Sequence, residues 1–202
     1  GCELRNAADN VRSGIISYLG HDPELFNDSV RNNVLLGDDY DVFEYLRAVC
    51  MDKEVEAMEQ GADTIIGSEG IRLSGGQAQR IALARTLCHK KLVLVLDDPF
   101  SALDRNTEEQ IYKKLKDMAS DNIVILISHR LYMFPKMDKV IWMDAGKANV
   151  GTHKELMLEC PGYRKMYETV SVEECRAVET ENEGLAAAKV VENSRRVVDK
   201  HE

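Results

Sequence analysis

Three apolar runs stand out against an otherwise mixed chain: Gly14–Leu19 (GIISYL), Leu92–Leu96 (LVLVL) and Ile123–Ile127 (IVILI). Each is short and continuous rather than alternating, the pattern of strands buried on both faces in a parallel sheet covered by helices. Between the second and third runs, about Asn106 to Ala119, apolar residues recur at helical spacing. Ile111, Leu115 and Met118 share one stripe, and Glu109 is placed to pair with Lys113. Strand, helix, strand predicts a right-handed crossover.

From about Asn27 to Gly70 the pattern changes. Helical stretches such as Val42–Cys50 and Lys53–Gln60 alternate with polar breaks, and no strand is evident, so a mostly helical subdomain inserted into the α/β core is expected. After the third strand, Val140–Gly151 reads as a hairpin turning at Asp144–Gly146. Thr152 and Glu155 then offer a capping box for one more helix. Beyond about Ser171 the chain is charged, with one weak amphipathic patch (Val190, Val191, Ser194, Val197, Val198), and reads as frayed helix or disorder. The resulting division is a partial α/β core over residues 1–26, the helical subdomain over 27–80, the remainder of the core over 81–170 and a charged tail over 171–202.

Composition narrows the classes. A chain of 202 residues with 44% hydrophobic and 30% charged residues has material for a real core. A net charge of -9 argues against a nucleic-acid surface, which wants clustered Lys and Arg. The five cysteines (Cys2, Cys50, Cys88, Cys160, Cys175) form no CxxC pair, consistent with reduced thiols rather than a disulfide frame or a zinc site. No apolar run approaches the ~18 residues of a membrane helix, and no signal peptide is present. The chain starts at Gly1 rather than Met, which suggests a piece of a longer polypeptide.

Candidate chemistry collects at the strand ends. In open α/β sheets ligands gather beyond the carboxyl ends of the strands. Here those ends carry Gly20-His21-Asp22, Asp97-Asp98 and Ser128-His129. One carboxylate there can hold Mg2+, which keeps waters while bridging phosphates. A second can orient or deprotonate a water, and a histidine can stabilise a terminal phosphate. Further back, Ser74-Gly75-Gly76-Gln77 makes a Ser-x-x-Gln capping box, and its glycines leave the first amides of a helix bare for an anion. Taken alone, it is equally a well-capped helix with Ile81, Ala84 and Cys88 packed inward.

The order of these pieces resembles the nucleotide-binding domain of ABC transporters, from about Gly14 to Tyr167. LSGGQ (Leu73–Gln77) is similar to that family's signature motif, VLVLDD (Val93–Asp98) to its Walker B strand, and SALD (Ser101–Asp104) to its D-loop. ISHR (Ile127–Arg130) matches its switch histidine, GHDPELF (Gly20–Phe26) its Q-loop region, and GTHKEL (Gly151–Leu156) a late motif. PELFNDSVRNNVLLG (Pro23–Gly37) and TIIGSEG (Thr64–Gly70) look like exporters whose membrane and ATPase domains share one polypeptide. The resemblance implies an α/β P-loop NTPase (RecA-like) core, incomplete here, with the inserted helical subdomain. It further implies ATP and Mg2+ as cofactors, and transport-coupled hydrolysis in a head-to-tail dimer at the cytoplasmic face of the cell membrane. Partners would be a second ABC ATPase domain and the exporter's transmembrane domain, with no nucleic acid. In that scheme Asp98 and His129 are catalytic, Asp97 and His21 face the metal, and Ser74, Gly75, Gly76, Gln77 and Asp104 face nucleotide.

Four departures qualify this. The chain contains no GxxxxGK[ST], the loop whose amides and lysine cradle phosphates, so isolated it is expected to bind Mg-ATP poorly and hydrolyse none. Asp98 stands where hydrolytic members usually carry glutamate; one methylene shorter, it also reads as a turn residue before Pro99. His21 replaces the usual Q-loop glutamine and reads equally as a surface-loop histidine. Ser68-Glu69 replaces the expected Glu-Arg before the signature. Asp for Glu beside an intact LSGGQ fits one subunit of a heterodimeric exporter. The alternatives are a non-hydrolytic regulatory subunit, a soluble ABC-type ATPase, and an inactive remnant.

Overall fold

The computed structural model of the chain describes residues 8–67 and 70–169. The tail over 171–202 and the Ser68-Glu69 departure lie outside the described residues. Contacts divide the chain into two compact units, Gly1–His129 and Arg130–Glu202.

The first unit is built on a three-stranded parallel sheet in the order β1-β4-β5, from Ile16–Leu19, Val93–Asp97 and Ile123–Ile127. The expected first strand is shortened, because Gly14 and Ile15 finish a helix, α1 (Asp9–Ile15), that buries none of its residues. Register pairs Leu19 with Leu96 and Asp97 with Ile127, so the three strands end together. Side chains alternate across the sheet. On one face Leu19, Leu94 and Leu96 are buried, whereas Tyr18 (61%), Ile123 (58%), Ile125 (39%) and Ile127 (50%) stay exposed on the other. The expectation of burial on both faces is therefore corrected: β5 is an edge strand, and its apolar run has one open face and an unpaired side among the described residues.

Such an edge is a template for strand addition. We expect the chain to self-associate at tens of micromolar. Ile125→Lys, which places a charge on the open edge strand, should reduce that association in sedimentation velocity. A wild-type chain that sediments as a monomer would contradict this.

Helix α5 (Gly75–Cys88) runs through the unit, burying Ile81, Leu83 and Leu87 completely. It lies against α2 (Val30–Leu35), α3 (Val42–Ala48) and β1. A short helix α4 (Asp52–Glu56) follows α3. The stretch expected to lack strands does contain one small ladder, β2 (Asp28–Ser29) antiparallel to β3 (Ile65–Ile66). Two residues per strand are too few for any periodicity to register. Between β4 and β5 stands α6 (Arg105–Met118), with Ile111 and Leu115 buried on the expected stripe.

The second unit contains a 3₁₀ segment, Leu131–Lys136, and the hairpin β6 (Val140–Asp144) and β7 (Lys147–Gly151). Ala145 and Gly146 turn the hairpin with positive φ, as its tight geometry requires. Helix α7 (His153–Glu159) begins with the Thr152/Glu155 capping box. Residues 161–169 are also helical. Val140, Leu156 and Tyr163 form the core, with Trp142 packed on it. Tyr163 is fully buried, and its hydroxyl shares a 2.7 Å hydrogen bond with His153 Nδ1. Burial pushes Tyr163 up to about 12 and holds His153 below the ordinary histidine value.

A depressed histidine favours the neutral form in the fold, so its contribution is present above the unfolded value of about 6.5 and is lost as pH falls below it. Trp142, the chain's one tryptophan, reports this unit. Its fluorescence-detected urea midpoint should fall on acidification from about pH 7.5 to 5.5. His153→Gln should flatten that slope, and an equally steep slope in the variant would contradict the assignment.

Candidate functional site

The polar ends of β1, β4 and β5 meet, as their common register requires. Asp97 closes β4, and its Oδ2 accepts a 3.2 Å hydrogen bond from the Tyr18 hydroxyl. Asp98 follows with φ 48°, a left-handed conformation that costs a non-glycine residue roughly 1–2 kcal/mol. It is held there by its own backbone. The Asp98 amide donates to the Ile127 carbonyl (2.8 Å), and its carbonyl accepts from the Ser101 amide (3.2 Å) and from Gln79 Nε2 (2.9 Å).

This turn points the Asp98 carboxylate back over the sheet end. Its Oδ2 lies 3.2 Å from His129 Nδ1 and 3.8 Å from His21 Nδ1. The carboxylate is only 12% exposed while the two imidazoles are largely open, at 72% and 56%. Its Oδ1 is buried with no hydrogen-bond partner among the described residues. A buried carboxylate oxygen without a donor carries a desolvation cost unless something completes it. Asp97, Asp98, His21 and His129 are thus brought together.

The remaining candidates form a second group around the start of α5. Ser74 Oγ accepts from the Gln77 amide (3.2 Å), and Gln77 Oε1 accepts from the Ser74 amide (2.9 Å), the reciprocal box expected. Gln77 Nε2 continues to Glu54 Oε2 (2.8 Å), and Glu54 Oε1 pairs with Arg80 (2.8 Å). Burial alone would raise the Glu54 pKa, but its bonds from Arg80 and Gln77 outweigh this and lower it. The two glycines differ. A side chain at Gly75 would meet open space, whereas a Cβ at Gly76 would sit 2.8 Å from the Ala102 carbonyl oxygen. Gly76 therefore serves a close approach between helix and loop, and Gly75 is the one that leaves the helix start open. Asp104 caps α6, accepting from the Thr107 amide at 3.0 Å, and hydrogen bonds from the Thr107 side chain first and its amide second depress the Asp104 pKa.

Several residues of this region were not singled out from the sequence. Tyr18 looked like part of an apolar strand. Gln79 had a readable signal: it lies on the buried stripe of α5 with Ala82, Leu83 and Thr86, a polar side chain at an apolar position. Asn33 and Arg85, which fasten the segment after His21, carried no such signal: Asn33 bonds backbone in the irregular stretch before its helix, and the partners of Arg85 lie more than fifty residues away.

The donor set suits Mg2+, which is bound through one or two carboxylates with phosphates and water completing it. Asp97 at the strand end is such a group. Among the described residues no three His, Cys, Asp or Glu side chains converge as a metal cage. His21 faces Asp98, and imidazole is a softer ligand than Mg2+ prefers.

No helix among the described residues is long and apolar enough to cross a membrane. A family model described as "ABC transporter" matches residues 2–101. ABC transporter B family member 1 of Dictyostelium discoideum is 36% identical over 154 residues, 74% of this chain and 17% of that protein. The ATP-dependent lipid A-core flippase of Alcanivorax borkumensis is 36% identical over 171 residues, 82% of this chain and 28% of that protein. A bacterial Atm1-family ABC exporter solved with ATP bound superposes with a TM-score of 0.75 at 29% identity, covering 82% of this chain and 30% of the exporter chain. The chain thus spans less than a third of the length of these relatives. With these likenesses beside the parallel sheet, the capped LSGGQ helix and the paired aspartates, the chain belongs to the ABC transporter family and carries part of the exporters' ATP-binding domain.

Proposed function

We propose that this chain supplies the water-handling and signature-bearing part of an ATP-hydrolysing site that powers export across a membrane. The observation that carries the reading is the Asp98 carboxylate, buried beside Asp97, faced by two imidazoles and left with one oxygen unpartnered. In hydrolysis a water attacks the terminal phosphorus as the bond to the leaving ADP oxygen breaks. Asp98 accepts a hydrogen bond from that water and orients it, and the water's proton leaves with the phosphate product. His129, largely exposed, is free to swing from Asp98 to the terminal phosphate oxygens. Asp97 would hold Mg2+, which when bound would supply neutralisation of phosphate charge.

The phosphate cradle comes from a GxxxxGK[ST] loop absent from these residues. Ser74, Gly75, Gly76 and Gln77, at the positive end of α5, face nucleotide held by a second ATPase domain in a head-to-tail dimer, with Asp104 at that junction. Because Asp98 is a methylene shorter than glutamate, its own site turns over slowly and a heterodimer is favoured. The helical part, residues 27–80, faces the transmembrane domain at the cytoplasmic side. The same short carboxylate supports a second reading, a regulatory subunit that binds ATP without hydrolysing it.

Calorimetry on the isolated chain should detect no micromolar Mg-ATP binding. The same chain preceded by a GxxxxGK[ST]-bearing strand–loop–helix unit should bind ATP, and failure of that fused protein to bind would contradict the proposal.

A further inference from the structure

Gln79 is 97% buried, since only 3% of its surface is exposed, yet it is the one polar side chain of α5 whose hydrogen bonds all reach the loop after β4 among the contacts of the described residues. Its Nε2 donates to the Asp98 carbonyl (2.9 Å), and its Oε1 accepts from the Ala102 amide (3.3 Å). The Ser101 hydroxyl sits against the same carboxamide at 3.1–3.3 Å. One side chain thus closes the loop from Asp98 to Ala102 at both ends. One turn earlier on the same helix, Gly76 abuts the Ala102 carbonyl with no room for a side chain.

The grip falls on a sensitive point. Asp98 holds a left-handed backbone, a conformation that persists in a non-glycine residue only where neighbours over-determine it. Its carbonyl, held by Gln79 together with the Ser101 amide, and its amide, held by Ile127, set the direction in which its side chain leaves toward His129 and His21. An apolar residue of similar volume would fill the same space, so packing does not explain an amide here; the Asp98 and Ala102 backbone groups do. The first turn of α5 also carries Ser74–Gln77, the group assigned above to a partner's nucleotide.

We propose that Gln79 is a positioning residue that couples the LSGGQ end of α5 to the Asp98 carboxylate, so that engagement of one nucleotide adjusts the water-handling group of the other. The coupling rests on the ATPase reading given above. A shift of α5 by an ångström at its start would be carried through Gln79 and Gly76 into the Asp98–Ala102 loop, a displacement large enough to change turnover by about 10²-fold.

Two variants test it. Gln79→Glu keeps the shape but turns an oxygen toward the Asp98 carbonyl, and Gln79→Met keeps the volume without polar atoms. In the full chain preceded by a GxxxxGK[ST]-bearing unit, both should lower kcat by about tenfold or more while the KM for ATP stays within about threefold. In the full chain alone, NMR should show the His129 ring and Asp98 carboxyl resonances moving in both variants while those of His153 stay fixed. Unchanged kcat, or a parallel loss of kcat and β4 amide protection that marks general destabilisation, would overturn the proposal. A wild-type fused protein that hydrolyses no ATP would instead strike the ATPase reading. The coupling would then stand or fall on the NMR result, and unmoved Asp98 and His129 resonances would overturn it.

Discussion

Asn33→Ala should destabilise the first unit by roughly 2–4 kcal/mol, the cost of stripping a buried amide from the backbone groups and the half-buried guanidinium it joins. Asn33 is fully buried. Its Nδ2 donates to the carbonyls of Phe26 (3.0 Å) and Ser29 (3.0 Å), and its Oδ1 accepts from the Phe26 amide (2.8 Å) and Arg85 Nη2 (2.8 Å). Arg85 spreads further, from Nε to the Asn33 carbonyl (2.6 Å) and from Nη1 to the Glu24 carbonyl (3.0 Å), with its guanidinium 4.8 Å above the Phe26 ring. Burial lowers the Arg85 pKa, but a guanidinium stays charged, so deleting the Asn33 side chain leaves a half-buried cation and the Phe26 amide each short of an acceptor. The urea midpoint followed by far-UV circular dichroism measures this. A loss under about 1 kcal/mol, the worth of a single ordinary hydrogen bond, would contradict the network's role. The consequence reaches the site, because Glu24 and Phe26 anchor the segment that follows His21.

The second large effect is catalytic. In the full chain preceded by a phosphate-loop unit, Asp98→Glu should raise ATP turnover by roughly 10–10²-fold, since a general base at its best reach contributes about 10²–10⁴. The longer carboxylate extends one methylene further toward the water. The enclosed site resists the extra methylene, with an overpacking cost of about 1–3 kcal/mol, so stability should fall modestly as turnover rises. Steady-state phosphate release reads the first effect and urea denaturation the second. Unaltered turnover would mean that Asp98 is a turn residue before Pro99 and no more.

Much of this architecture was readable from residue order. The third strand, the helix before it, both capping boxes and the hairpin at Ala145-Gly146 were legible because local periodicity and turn chemistry determine them. The proximity of Asp97, Asp98, His21 and His129 followed from the rule that parallel strands share one ligand end. The open face of β5 was not legible, because a continuous apolar run records what a strand is suited to bury and not what covers it here. The division of labour between Gly75 and Gly76 was hidden for a similar reason: it depends on where Ala102 lies, a residue far along the chain. Asn33 and Arg85 escaped notice because an asparagine and an arginine on helices look like surface residues until their backbone partners are known.

The most direct test of the central claim is steady-state ATP turnover by the full chain preceded by a GxxxxGK[ST]-bearing unit, measured before and after Asp98→Asn. That substitution keeps the shape of the buried side chain and removes its charge. The account predicts slow turnover in the parent, falling by about 10²-fold in the variant with ATP binding retained. Equal turnover in the two proteins would contradict it.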